Sequence, residues 1–415
     1  MKKSIALTNE EKLIIKTLTE VDSLSVLDNG RFWGERLHGP MLFVNPETRI
    51  FYANENNQSK DFESFHSIYR DSLPSKINIA NTAIDWNGKR WTMVMLPWPI
   101  DRSSRNKLIL HESFHRIQPE IGFEGLYESG NAHLDAYEGR LLLKLELEAL
   151  EDALTANTKE EKRHHIRNAL FFRTKRQVNL DIKKGENTLE LNEGLAEYTG
   201  LMLSTSNHEK IKTLLVKGKK DFYSNSTFVR SFAYHTIPIY GYILSSNRPN
   251  WHQEIDKNTN LTDYFITTFK IDFDDNLSVE RTATQNNYAY KEIQREEVVR
   301  EKHRLKKIAK LKAKYTAHPT LELRFQNMNI SFNPQNIVPI EDLGTVYPSL
   351  RITDNWGILT VENGALLAPD WSKVTISEPI EILDNRVTGE GWLLELSEEW
   401  RVKKVDKEYV ITNKQ

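Results

Sequence analysis

Residues 108–118 read LILHESFHRIQ, and the polar residues inside this stretch decide how the rest of the chain is read. His111 and His115 are four positions apart, so on a helix they project from one face about 6 Å apart along the axis, a bite that can hold one zinc ion through two imidazoles. Glu112 then lies beside the open position of such a metal, where its carboxylate can take a proton from a water. Ser103 is the expected cap of this helix. Pro119 ends it, because a proline ring inside a helix loses a hydrogen bond and clashes one turn back. Two imidazoles need a third ligand, which must come from elsewhere in the chain.

Upstream, NIANTAIDWNGKRWTMVML (78–96) sets Asn87-Gly88 between two β-rich runs, a strong hairpin signal. MLFVNPETRIFYAN (41–54) predicts two more strands around an Asn-Pro-Glu-Thr turn. Residues 8–22 predict a helix opened by a Thr8/Glu11 capping box. The N-terminal quarter is therefore expected to be a small antiparallel sheet. Its last strand, 89–96, leads into the histidine helix, and either lies on the rim of a cleft to pair with an extended peptide or is an ordinary sheet strand.

Downstream, residues 132–154 and 160–177 predict two helices, and ENTLELNEGLAEYTGLML (186–203) a third. FVRSFAYHTIPIYGYIL (228–244) follows, apolar and aromatic. Residues 284–315 predict one long charged helix whose alternating signs suit a solvated surface bridging two domains. Beyond Pro319 short alternating runs and turns such as Asn363-Gly364 predict a β sandwich or barrel. The expected fold is α+β: a sheet-bearing part over 1–100, a helical bundle over 101–283, a connecting helix over 284–318 and a C-terminal β domain over 319–415.

Composition narrows the chemistry. The chain has 415 residues, enough for two or three domains, with 39% apolar and 27% charged residues, as in soluble globular proteins. A net charge of −2 gives no reason to expect nucleic acid or a membrane surface as partner. The absence of cysteine removes disulfides, thiolate ligands and cysteine nucleophiles, so any metal site must use His, Asp and Glu. The basic opening breaks before signal-peptide length and no apolar run reaches transmembrane length, so a cytoplasmic location is expected.

The candidate third ligand is Glu193, in LNEGLAEY, distant in sequence but reachable if the intervening helices turn back. The pair HESFH and NEGLAE resembles the gluzincins, zinc metallopeptidases that include thermolysin and the zinc aminopeptidases, which carry H-E-x-x-H on one helix and Asn-Glu-x-x-x-Asp/Glu on a later one. The resemblance implies one zinc per chain held by His111, His115 and Glu193, with Glu112 as general base. It also implies a supporting Glu197 that accepts a hydrogen bond from a liganding histidine, beside Asn192. Either glutamate can serve as the ligand in principle.

Gluzincins take their oxyanion donor from a Tyr or His downstream, and SFAYHTIPIYGY offers Tyr234, His235 and Tyr240. The gap between the two motifs exceeds that of the familiar subgroups, which implies an inserted helical pair folded away from the cleft. No Gly-x-Met-Glu-Asn segment precedes His111, so endopeptidase action on a peptide or protein is expected ahead of aminopeptidase action. Two other readings compete. Glu112-x-x-His115 and Glu161-x-x-His164 repeat the E-x-x-H pattern of di-iron bundles, and a retired enzyme would keep the fold for binding alone.

Overall fold

The computed structural model describes residues 7–57, 61–126, 130–273, 277–333, 336–406 and 408–414; the basic opening, residues 1–6, lies outside them. Helix α1 (Asn9–Asp28) starts at the Thr8 capping box with Glu11. Six strands follow: β1 (Met41–Val44), β2 (Ile50–Ala53), β3 (Glu63–Phe65), β4 (Ile68–Ser72), β5 (Thr82–Trp86) and β6 (Lys89–Met95). They form one sheet in the order β3-β4-β2-β1-β6-β5. All pairs are antiparallel except β1 with β6, so the sheet is mixed. Asn87 and Gly88 both take positive φ, 50° and 79°, as a two-residue hairpin turn between β5 and β6 requires.

Alternation along the strands splits the sheet's two faces. Trp91 and Met93 join Leu42, Val44 and Phe51 on one side. Val94, Met41 and Phe43 join the main core on the other, where the helices pack. β6 lies inside the sheet, so the strand on the rim is β5, not the one that enters the histidine helix.

The helical part comprises α2 (Arg102–Ile117), α3 (Tyr137–Thr155), α4 (Lys159–Arg176), α5 (Leu180–Leu189), α6 (Leu195–Ser204), α7 (His208–Tyr223), α8 (Ala233–Ser245), α9 (Leu261–Thr268) and α10 (Val279–Gln285). Between α5 and α6 the chain makes a π-helical turn, Glu190–Gly194. The cap of α2 is Asp101, two residues before Ser103, and its side chain accepts from the Ser104 backbone N–H. No helix among the described residues is long and apolar enough to cross a membrane.

Helix α11 (Tyr290–Thr316) connects the two halves. Its first part is anchored on α3, where Arg140 and Lys144 reach the buried Glu297 at 2.9 and 2.7 Å. Its last part packs Ile308 and Tyr315 among Val338, Ile340, Val346 and Leu366. The C-terminal strands open with β7 (Thr320–Arg324) and β8 (Asn329–Phe332) and form a seven-stranded and a six-stranded sheet among the described residues. Leu321, Leu323, Val374 and Ile376 of one sheet share a core with Ile352, Leu359, Val361 and Leu394 of the other, so the two sheets sandwich their apolar faces. β8 is one of the two edge strands of the six-stranded sheet.

Candidate metal centre

Two glycines bring the motif helices together. A Cβ on Gly200 of α6 would lie 2.5 Å from the Lys107 carbonyl oxygen and 3.3 Å from the His111 nitrogen, so only glycine lets α6 press onto α2 at this level. On the other side, a Cβ on Gly194 would lie 2.6 Å from the Ile237 side chain, which sets the approach of α8. The π-helical turn between these contacts carries Asn192 and Glu193. Such turns shift the phase of a helix by one residue, and here the shift leaves Glu190 and Glu193 with different neighbours.

Three ligand-type atoms converge there. His111 Nε2 and His115 Nε2 are 3.3 Å apart, and Glu193 Oε2 lies 3.4 Å from each. A tetrahedral zinc with bonds of about 2.0–2.1 Å spaces its ligands by about 3.3–3.4 Å, so the triangle has the edge lengths of that coordination shell. Two imidazoles and one carboxylate are three donors, a set that would leave one tetrahedral position open if zinc were bound. Glu112 offers a carboxylate oxygen within 4.8 Å of both histidines.

Each donor is oriented from behind. Glu197 Oε2 meets His111 Nδ1 at 3.1 Å, while its other oxygen pairs with Lys107. His115 Nδ1 meets Gln118 Oε1 at 2.9 Å, and the Gln118 amide donates to Asn192 Oδ1 at 3.0 Å. Both histidines are thereby fixed with Nδ1 engaged and Nε2 turned to the centre. The Tyr234 hydroxyl donates to Glu193 Oε2 at 2.5 Å, and its ring lies parallel to that of His111, centroids 5.4 Å apart.

Burial and neighbouring charge set the protonation states. Burial pulls the His111 imidazole down, but hydrogen bonds to Glu193 and Glu197 outweigh it and raise its pKa to about 10. His115 is raised in the same way, against burial, by the charge of Glu193. Burial pushes Glu193 up, but His115 and His111 hold it well below the carboxylate range; Glu197 stays down at about 2 through Lys107 and His111, again against burial. Burial raises Glu112, toward the range where a carboxylate accepts a proton. Burial and the nearby Glu193 charge keep Tyr234 a neutral phenol, a donor.

The other candidates fall elsewhere. Tyr240 is fully buried, stacks on Phe265 and donates to Glu146 at 3.0 Å. On a helix, residues six apart are rotated by about 120°, so Tyr240 cannot share the face of Tyr234. His235 stacks on Phe222 at 4.5 Å, and burial lowers its pKa to about 4. His133 joins Glu186 at 2.7 Å. Glu161 is spent on the capping box of α4 and His164 pairs with Asn286, so the second E-x-x-H does not reach the first. Among the described residues no second metal-competent cluster of His, Asp and Glu occurs.

Sequence reasoning missed Gln118, Lys107 and Arg230. Gln118 is three residues after His115 and Lys107 four before His111, spacings that place each on the motif face of α2. Arg230, whose Nη2 lies 4.0 Å from Glu193 Oε1, carried no such signal. The inserted pair α3/α4 contributes no residue to the lining of the cleft and backs the π-helical turn from behind, with Arg173 of α4 hydrogen-bonded to Glu190 at 2.9 Å.

The centre opens into a cleft between the start of β5, with Thr82 and Ala83 on its rim, and β8 of the C-terminal domain, where Ser331 and Phe332 line it. No family model matches this chain, nor does any curated protein or solved structure.

Proposed function

We propose that this protein is a zinc-dependent peptidase of gluzincin type, with His111, His115 and Glu193 as ligands and Glu112 as general base. The observation that carries the reading is the 3.3–3.4 Å triangle of two imidazole nitrogens and one carboxylate oxygen. A zinc ion bound there would act as a Lewis acid toward water and the scissile carbonyl.

The chain's own groups account for the remaining steps. Glu112 is buried beside the histidines with its carboxyl pushed upward, so it can collect a proton from water and hand it to the departing amine. The neutral Tyr234 phenol is the donor placed to meet the negative charge that develops on the carbonyl oxygen, once its hydrogen bond turns from Glu193 to substrate. Lys107 and Gln118 act through Glu197 and His115, holding the imidazoles in the tautomer that presents Nε2. The free rim of β5 suits an extended peptide.

Metal analysis of the purified protein beside His111→Ala and Glu193→Ala tests the ligands: one zinc per chain is expected in the wild type and none in either variant. Glu112→Gln should keep the zinc and lose hydrolysis of a quenched-fluorescent peptide library. Zinc retained by Glu193→Ala would move the third ligand to another residue. A zinc-loaded wild type inert on every peptide would leave a binding role.

A further inference from the structure

The C-terminal domain does not merely neighbour the cleft. Its edge strand β8 lies across the opening and is fastened on both sides. On the sheet side, the Ser331 hydroxyl donates to the Ile79 carbonyl at 3.3 Å, and the Asn78 amide donates to the carbonyl of Asn329 at 2.9 Å. Arg351, on the next strand of the same sheet, donates to the Ser75 carbonyl at 2.8 Å. On the helical side, the guanidinium of Arg230 sits 5.3 Å from the centre of the Phe332 ring, and Val229 is part of the sandwich core.

The space around the centre is correspondingly divided. One chamber of about 430 Å³ extends past His115, Gln118 and Asn192; another of about 560 Å³ extends past Lys107, Leu108 and Met95. Both are bounded by Asn81, His111, Glu112, Tyr234, Ser331 and Phe332, so the reacting groups and β8 are walls common to the two chambers. Each chamber falls in the range of about 300–1,000 Å³ typical of small-ligand sites. A substrate that occupies both must pass beneath β8 at the reacting groups.

We infer that β8 is a bar that sets the substrate class: short, flexible peptides with a free end that can be threaded under it, to the exclusion of folded proteins and of segments blocked at both ends. The inference rests on the peptidase reading above. Ser331 and Phe332 become specificity-determining residues, and the C-terminal domain becomes part of the active site.

The test compares two forms of one sequence. A linear peptide selected as a substrate from a quenched-fluorescent library is set against the same sequence joining two folded domains. The wild type is expected to cleave the joined form at least about 100-fold less efficiently in kcat/KM. Arg351→Ala and, separately, Asn78→Ala loosen the fastening at a distance from the reacting groups, and each should narrow that ratio about tenfold. Two variants guard against one that fails to fold. Binding to Glu112→Gln, followed by fluorescence anisotropy, gives a readout without turnover: the linear peptide should bind and the joined form should not. Equal cleavage of both forms by the wild type overturns the bar and leaves the peptidase reading standing. A zinc-loaded wild type that cleaves no linear peptide, with a Glu112→Gln form that binds none, overturns both.

Discussion

Glu190 and Glu193 stand on the same π-helical turn, both in an ion-rich setting, yet they meet opposite kinds of partner. Glu190 accepts from Arg173 at 2.9 Å and from Thr236 at 2.6 Å, within a cluster where Arg173 also bonds Glu146 and Arg176 bonds Glu146 and Glu186 at 2.6 and 2.7 Å. Tyr240, Gln177 and His133 supply further donors to those carboxylates. Every carboxylate there meets a permanent guanidinium charge, two guanidiniums being shared among three carboxylates. Glu193 instead faces two imidazoles, whose charge depends on a proton, with Glu112 and Glu197 close by. A cluster whose carboxylates all bond guanidiniums holds a fold together, whereas one in which Glu193 has its short contacts to imidazoles, with Arg230 only at 4.0 Å, can trade protons for a divalent cation.

Removing one partner from each cluster should separate the two roles most sharply. Glu193→Ala is expected to take zinc from one per chain to none and abolish hydrolysis, at a smaller cost in metal-free stability than a break in the guanidinium cluster, since His111 and His115 can shed their protons once the carboxylate is gone. Arg173→Met should do the reverse. Leaving Glu190 buried without its cation, and Glu146 with Arg176 alone, costs about 3–5 kcal/mol, read from urea unfolding of the metal-free protein. If Arg173→Met were as stable as the wild type, the contrast between the clusters would collapse.

Two tyrosines on α8 make the same contrast at smaller scale. Tyr234→Phe should keep zinc and lower kcat about 10²–10³-fold, the usual loss of one oxyanion donor. Tyr240→Phe should leave kcat unchanged and cost about 1.5–3 kcal/mol of stability, a hydrogen bond to a charged carboxylate. Equal kinetic losses in both would mean that Tyr234 acts through packing alone.

The sequence made the local half of this legible. The capping box of α1, the Asn-Gly hairpin and the two motif helices all follow from interactions within a few residues. The α+β class with a C-terminal β domain follows from hydrophobic periodicity. Helical phase alone would have separated Tyr234 from Tyr240. What the sequence concealed depends on tertiary geometry. The small side of α6 at Gly200 has meaning only against the Lys107 carbonyl, and β8 reaches the cleft only through contacts between residues about 250 apart, Asn78 with Asn329. The rim strand was displaced by one because β6 pairs with β1, a parallel contact that no turn announces.

Gln118 probes how firmly the two motif elements are coupled. It joins His115 to Asn192, the residue before Glu193, so Gln118→Ala should release the second imidazole without removing a ligand. A loss of about 10–100-fold in zinc affinity is expected, the range for partners behind a ligand, with little change in unfolding free energy. Competition with a chelator measures it. Unchanged affinity would show that His115 is held by packing alone.

The gentlest separation uses pH. Glu186 ordinarily titrates at 4.5 and, although burial pushes it up, Arg176 and His133 hold it far lower in the folded state. Between those values the unfolded chain binds more protons than the native one, so the stability contributed above 4.5 is lost as pH falls. His111 has the opposite sign. Its folded value is about 10 against an ordinary 6.5, so its contribution is complete below 6.5 and is lost as pH rises toward 10. Each proton contributes a slope of at most about 1.4 kcal/mol per pH unit. Urea unfolding across this range should therefore show an acid loss that persists with or without zinc, and an alkaline loss confined to the metal-free chain, because a bound ion replaces the proton on His111. The same alkaline slope in the zinc-treated protein would mean that zinc does not displace that proton, and the two clusters would no longer differ in kind.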